Sequence, residues 1–210
     1  MSNLVIFDMD DTLVGTHDLI GASFEHAVAK YSHLKLEEVD VETISGYTLS
    51  MMLSRKVPSN CLEEALDSYH EYFRDHFDTT AVIYPSLKET VAQLCETVNL
   101  AVLTGANRKW AEITLRESGL SDFFPVVLTS DEVKIPKPDP AGLVAIMRKF
   151  RISTEDTTYV GDEAKDIRTS RNASVHAAGA LWGSWEKERL KSIEPDLVLE
   201  NPVDLLRIIR

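Results

Sequence analysis

Three carboxylates and a hydroxyl fall within five positions near the start of the chain, in Asp8-Met9-Asp10-Asp11-Thr12. Acids packed this closely repel one another, so keeping them together calls for a compensating positive charge. Their oxygens suit a hard divalent cation, and Mg²⁺ is the expected one. The four residues just ahead, Leu4-Val5-Ile6-Phe7, are an unbroken apolar run of the kind that marks a buried parallel strand. The carboxyl end of such a strand is where an open α/β sheet binds ligands. Taken alone, the acids would also suit an ordinary solvated turn, because Asp tolerates unusual backbone angles. The remaining polar groups have to decide between the two.

Three later apolar runs also end in polar residues. Val98 to Leu103 leads into Thr104-Gly105-Ala106, and Val126-Val127-Leu128 leads toward Lys134-Ile135-Pro136-Lys137-Pro138-Asp139-Pro140. Three prolines in five residues predict a stiff, extended loop that holds Lys137 in place. Thr157 to Val160 runs into Gly161-Asp162-Glu163-Ala164-Lys165-Asp166, where a following helix puts Asp166 one turn beyond Asp162 on a shared face. Helical patterns alternate with these runs. One opens at Pro85 and buries Leu87, Val91 and Leu94. Another is capped by Asn107 and stopped by Gly119, and a third spans Ala141 to Phe150. Val175 to Ala178 and Leu197 to Leu199 are further short strands, and Pro202 to Ile209 reads as a terminal helix. The alternation predicts an α/β fold, a Rossmann-like parallel sheet with helices on both faces. Such a sheet gathers all four strand ends on one edge.

Between Thr12 and Ala81 the pattern is helical throughout, longer than a crossover between neighbouring strands needs. Leu19, Phe24, Ala27, Val28 and Tyr31 recur at helical spacing, as do Leu62, Ala65, Leu66, Tyr69 and Phe73. Shorter helical pieces are expected around Val39 to Ile44 and Leu49 to Lys56, separated by Ser45-Gly46-Tyr47 and stopped by Pro58. The expected organisation is therefore an α/β catalytic core over residues 1–14 and 81–210, with an inserted all-helical domain over 15–80. Met51, Met52 and Trp182 read as packing residues.

The ordered set of Asp-x-Asp-x-Thr, a Thr ending the second strand, a Lys beside Pro, and Gly-Asp with a further acid resembles the four motifs of the haloacid dehalogenase superfamily. The resemblance spans nearly the whole chain and is nearest to the phosphoglycolate phosphatase-like hydrolases with a helical cap. It implies Asp8 as the nucleophile, forming an aspartyl-phosphate, and Asp10 as the acid that protonates the leaving oxygen and then activates water. It further implies Mg²⁺ held by Asp8, the backbone carbonyl of Asp10, and Asp162. Phosphate would be held by Thr104, Gly105 and Lys137, with Asp166 orienting metal-bound water or Lys137. Glu163 competes with Asp166 for that role. Asp11 stands where similar proteins commonly have Gly, and is expected to be a turn residue only. An acid two residues after the nucleophile separates this chain from the dehalogenases that attack carbon. The insert would be a mobile cap hinged near Leu13 to Thr16 and Asp78 to Tyr84, with Gly46, Tyr47 and Arg55 as candidate substrate contacts. Two competing readings remain: a sugar-phosphate mutase using the same intermediate, and a phospho-accepting regulatory domain.

Composition narrows the partners. Thirty-four acidic against 22 basic residues give a net charge of −12, which disfavours nucleic acid or an anionic membrane and fits a small phosphorylated metabolite. Two cysteines, Cys61 and Cys95, indicate neither a disulfide framework nor a zinc site. No charged-then-apolar leader precedes the first strand, and no apolar run approaches the ~18 residues that span a bilayer, so a cytoplasmic protein is expected. No feature of the chain specifies an oligomeric state.

Overall fold

A computed structural model describes residues 3–31 and 49–209. The helical piece expected at Val39 to Ile44, and both Gly46 and Tyr47, lie outside the described residues. The chain forms two compact units, one of residues 1–15 and 82–210 and the other of 16–81. Each unit boundary falls one residue beyond the expected position. Gly15 and Val82 exchange two backbone hydrogen bonds, of 2.9 and 2.8 Å, which tie both residues to the first unit.

The first unit is built on six parallel strands: β1 (Leu4–Phe7), β2 (Asn99–Leu103), β3 (Val126–Leu128), β4 (Thr157–Gly161), β5 (His176–Ala180) and β6 (Leu197–Leu199). Their spatial order is β3-β2-β1-β4-β5-β6. β1 is central, with Phe7 level with Val102 on one side and Val160 on the other. All four of its residues are fully buried, which is why its sequence shows no polar alternation. Leu4 and Ile6 face the same layer as Ala101, Leu103 and Tyr159, packing on Leu143, Ile146 and Met147 of α6 (Ala141–Phe150). Phe7 points the other way and meets Phe124 edge-on at 5.8 Å.

From β1 the chain steps outward through β2 to β3, then crosses back to β4 and runs out through β5 to β6. Right-handed crossovers then put α4 (Leu87–Cys95) and α5 (Arg108–Glu117) on one face, with α6 and α7 (Ala164–Ala173) on the other. The reversal of direction lies between β1 and β4. Adjacent loops part there, and the crevice opens at the carboxyl ends of those two strands.

The structure amends four details of the sequence reading. α4 starts at Leu87, two residues after Pro85, because Ser86 takes a left-handed conformation with φ 64°. Residues 134–140 fold into turns, with Asp139 N–H donating to Pro136 O at 3.0 Å, and are not extended. Pro202–Ile209 is a 3₁₀ helix. A short α8 (Lys187–Ser192), too brief for a periodic signal, packs Leu190 with Ile167, Ala177 and Leu181.

The second unit contains α1 (His17–Tyr31), α2 (Leu49–Leu53) and α3 (Leu62–Thr80). α1 and α3 pack on each other and bury Leu19, Phe24, Ala27 and Val28 with Ala65, Tyr69, Phe73 and Phe77. Among the described residues, no helix is long and apolar enough to cross a membrane.

Candidate active site

The ladder of β1 continues one residue past its end. Asp8 N–H donates to Val160 O at 2.8 Å, which holds the first residue of the acid cluster in register with β4. Asp8 is only 5% exposed, and its Oδ1 accepts Met9 N–H at 2.8 Å. The chain then turns sharply: Leu13 N–H donates to Met9 O at 2.8 Å, and Asp11 N–H to Val14 O at 2.6 Å. Asp11 sits at the corner with φ 58°, a left-handed conformation that Gly adopts freely and Asp tolerates. Thr12, fully buried, donates its hydroxyl to Asp162 Oδ1 at 2.8 Å and so joins the end of β1 to the end of β4.

β4 delivers two carboxylates. Asp162 follows the strand directly, and Asp166 stands at the third position of α7, where its Oδ2 accepts the N-terminal Glu163 N–H at 3.1 Å. Gly161 makes room for this arrangement, since a Cβ there would run into the Asp166 carboxylate. Glu163 pairs with Lys165 at 2.7 Å.

Lys137 occupies the middle. Its Nζ lies 2.9 Å from Asp8 Oδ2 and 2.8 Å from Asp166 Oδ1, and donates to Tyr159 OH at 3.1 Å. The Tyr159 hydroxyl lies 3.2 Å from Asp166 Oδ1 and 3.3 Å from Leu103 O. Burial opposes the Lys137 charge, but Asp166 and then Asp8 outweigh it and hold the ammonium well above its ordinary range. Asp8 is pushed up to about 7, chiefly by burial, with Lys137 pulling against the rise. Asp162 is raised well above the usual carboxylate range, first by burial and then by repulsion from Asp166 and Asp8.

Asp8, Asp162 and Asp166 each bring one carboxylate oxygen within 4.8 Å of the others. Lys137 bonds Asp8 and Asp166, Lys165 adds a second nearby positive charge, and the three buried acids offer the oxygen donors that suit a divalent cation. Asp166 has Oδ1 on Lys137 and Oδ2 on the Glu163 amide, Asp8 likewise has Oδ2 on Lys137 and Oδ1 on the Met9 amide, and Asp162 Oδ1 accepts the Thr12 hydroxyl. Each of the three offers an oxygen that could hold such a cation.

The fold thus brings together Asp8, Lys137, Asp162 and Asp166, residues far apart in sequence. Thr104 ends β2 on the same edge. It is buried, bonded to Leu128 O through its N–H at 3.0 Å, and its Oγ1 accepts Ala106 N–H at 3.0 Å. Gly105 is exposed beside it, and a Cβ at this position would meet nothing within 4 Å, so its surroundings impose no steric demand for glycine. Asp10 is partly exposed on the turn. Arg55 belongs to the helical unit, exposed in the turn after α2. Sequence reasoning passes over Tyr159, whose only signal is a polar tip at an inward position of a buried strand. It also passes over Tyr84 and treats Trp182 as packing. Yet Tyr84 OH donates to Asp11 O at 3.1 Å, and Trp182 Nε1 donates to Thr12 O at 2.9 Å.

The architecture is that of a Rossmann-like α/β protein with a carboxylate and lysine centre at its topological switch point. The chain belongs to the haloacid dehalogenase-like hydrolases, whose family model matches residues 5–180. It is 33% identical over 208 residues to the pyrophosphatase PpaX of Bacillus cereus strain B4264, covering 99% of this chain and 96% of that protein. Two solved structures share the fold. One is a predicted phosphoglycolate phosphatase from Haemophilus somnus 129pt, with TM-score 0.86 and 23% identity, over 100% of this chain and 98% of the other. The second is CbbY from Rhodobacter sphaeroides in complex with phosphate, with TM-score 0.82 and 18% identity, over 98% and 96% of the two chains.

Proposed function

We propose that the protein is a Mg²⁺-dependent phosphatase that hydrolyses a small phosphate monoester through an aspartyl-phosphate on Asp8. The observation that carries this reading is Lys137 bridging Asp8 at 2.9 Å and Asp166 at 2.8 Å beside a third buried acid, Asp162. A phosphoryl group entering such a centre brings further negative charge, and a fixed ammonium is the group that can accept it. Asp8 and Asp162 side chains, with the Asp10 carbonyl, would hold Mg²⁺. The cation would offset the charge of nucleophile and phosphate together.

In the first step an Asp8 carboxylate oxygen bonds to phosphorus as the bond from phosphorus to the ester oxygen breaks, and Asp10 gives that oxygen its proton. In the second, Asp10 takes a proton from water as the water oxygen bonds to phosphorus, which releases Asp8 and inorganic phosphate. Thr104 and the Gly105 backbone would donate to phosphate oxygens. The helical unit, inserted between Gly15 and Val82, would serve as the cap that selects the substrate, with Gly46, Tyr47 and Arg55 as its candidate contacts. The pyrophosphatase name of the PpaX relative adds inorganic pyrophosphate to the candidates.

Phosphate release from p-nitrophenyl phosphate, pyrophosphate and a panel of small esters tests the reading, with wild type beside Asp8→Asn. Turnover should require Mg²⁺ and fall at least about a thousandfold in the variant, the scale seen when a nucleophile is removed. Release that survives both a chelator and Asp8→Asn would overturn it.

A further inference from the structure

The turn that carries Asp10 is held by more than its own hydrogen bonds. Asp11 forms its corner at φ 58°. The carbonyls of Asp11 and Thr12 are both taken by side chains from distant parts of the chain. Tyr84, two residues past the strand-like pairing of Gly15 with Val82, donates its hydroxyl to Asp11 O at 3.1 Å. Trp182, in the loop after β5, donates its indole N–H to Thr12 O at 2.9 Å. β5 is separated from β1 by β4, so this loop reaches across a whole strand end to make the contact. The next residue, Gly183, lies so close to the Asp11 carbonyl that a Cβ there would collide with it and with the Tyr84 hydroxyl. Tyr84, Trp182 and Gly183 thus close on two successive carbonyls. The Thr12 side chain meanwhile fastens the same turn to Asp162.

We infer that Tyr84, Trp182 and Gly183 form a positioning clamp for the Asp10 turn, and that the clamp sets how well the protein protonates a poor leaving group. The inference rests on the proposed role of Asp10 as general acid. None of the three residues touches the reacting atoms in the proposed reaction. They act by fixing the backbone one and two residues beyond Asp10. Proton transfer to the leaving oxygen requires a hydrogen-bond distance in the transition state, so a small loosening of this turn should matter in proportion to how much the leaving group needs the proton. A nitrophenolate leaves readily without one, whereas an alkoxide does not.

That proportionality separates positioning from a merely structural role. The experiment measures kcat/KM, which reports the step that expels the leaving group, across a series running from p-nitrophenyl phosphate through phenyl phosphate to glycerol phosphate. Wild type, Asp10→Asn, Tyr84→Phe, Trp182→Phe and Gly183→Ala are compared. Tyr84→Phe and Trp182→Phe each remove one donor and keep most of the ring, and thermal unfolding confirms that each variant folds. The clamp predicts a loss of at most about threefold on p-nitrophenyl phosphate and about tenfold or more on the alkyl ester, so that the dependence on leaving group steepens toward that of Asp10→Asn. Equal losses across the series, or no loss in the two donor variants, would overturn the clamp while leaving the phosphatase intact. If the wild type turned over no ester, or Asp10→Asn kept the wild-type dependence, the general-acid reading itself would fall and the clamp with it.

Discussion

The two units of this protein use their interiors differently. The helical unit buries an apolar stripe, with Tyr69 stacked near Phe73 at 6.5 Å and Phe73 tilted on Phe77 at 5.8 Å, where each ring adds stability in proportion to the area it removes from water. The α/β unit spends the carboxyl edge of its central strands on charge. Asp8, Asp162, Asp166 and Lys137 are all nearly or fully buried and held by named partners. Burying ions is costly even when they are paired, and an apolar edge of equal volume would serve stability as well or better. A fold that keeps four of them together is arranged for what they do, whereas the rings of the helical unit are arranged for packing.

Removing one ion and one ring puts this contrast to its strongest test. Lys137→Met leaves Asp8 and Asp166 facing each other without their cation, which should cost about 3–5 kcal/mol in Mg²⁺-free solution. Phe73→Ala should cost a similar amount, about 3–5 kcal/mol, in the helical unit. Hydrogen exchange on the amides of each unit reads the two losses separately. They should differ in pH dependence. The Lys137→Met deficit should shrink in acid, as the carboxylates take up protons, while the Phe73→Ala deficit stays constant. A Lys137→Met loss that ignores pH would show that the side chain matters for its packing alone.

A smaller effect follows from Asp8. Its carboxyl rises from the usual 3.8 to about 7 on folding, chiefly through burial. Between those values the folded protein keeps a proton that the unfolded chain has released. In Mg²⁺-free solution this group therefore makes stability fall as pH climbs from about 4 to 7 and contributes no further slope above that. Carboxylate ligands bind a cation only when deprotonated, so Mg²⁺ should raise the melting temperature more at pH 8 than at pH 5. Equal shifts at the two pH values would remove Asp8 from the proposed metal ligands.

The contrast between units also governs what can be read from the sequence. β1 is legible because burial on both faces demands an unbroken apolar run, and the helical unit because an amphipathic stripe has a period. The cluster of Asp8, Lys137, Asp162 and Asp166 is legible once the strand ends are placed on a shared edge. What stays hidden are contacts that depend on the path of loops. Tyr159 looks like any strand residue until Lys137 comes to rest on it, and Trp182 like any packing residue until its loop reaches Thr12. The turned path of residues 134–140, which their prolines suggest is extended, is of the same kind. Local rules describe segments. The support of this site is made of pairs such as Thr12 with Trp182, whose separation in sequence leaves no local trace.

The smallest effect concerns the corner of the acid turn. Asp11 adopts φ 58° and contributes its carbonyl, not its side chain, to the bond from Tyr84. Asp11→Gly relieves the left-handed conformation but gives the unfolded chain more freedom, and the two terms oppose each other to within about 1 kcal/mol. Asp11→Val should be worse by about 1–2 kcal/mol, because a β-branched side chain is crowded at positive φ. Melting temperatures of the two variants at low Mg²⁺ check the order. If Asp11→Gly proved the more damaging of the two, the freedom it gives the unfolded chain would outweigh the crowding of a β-branched side chain at φ 58°, and the left-handed corner would cost this turn little.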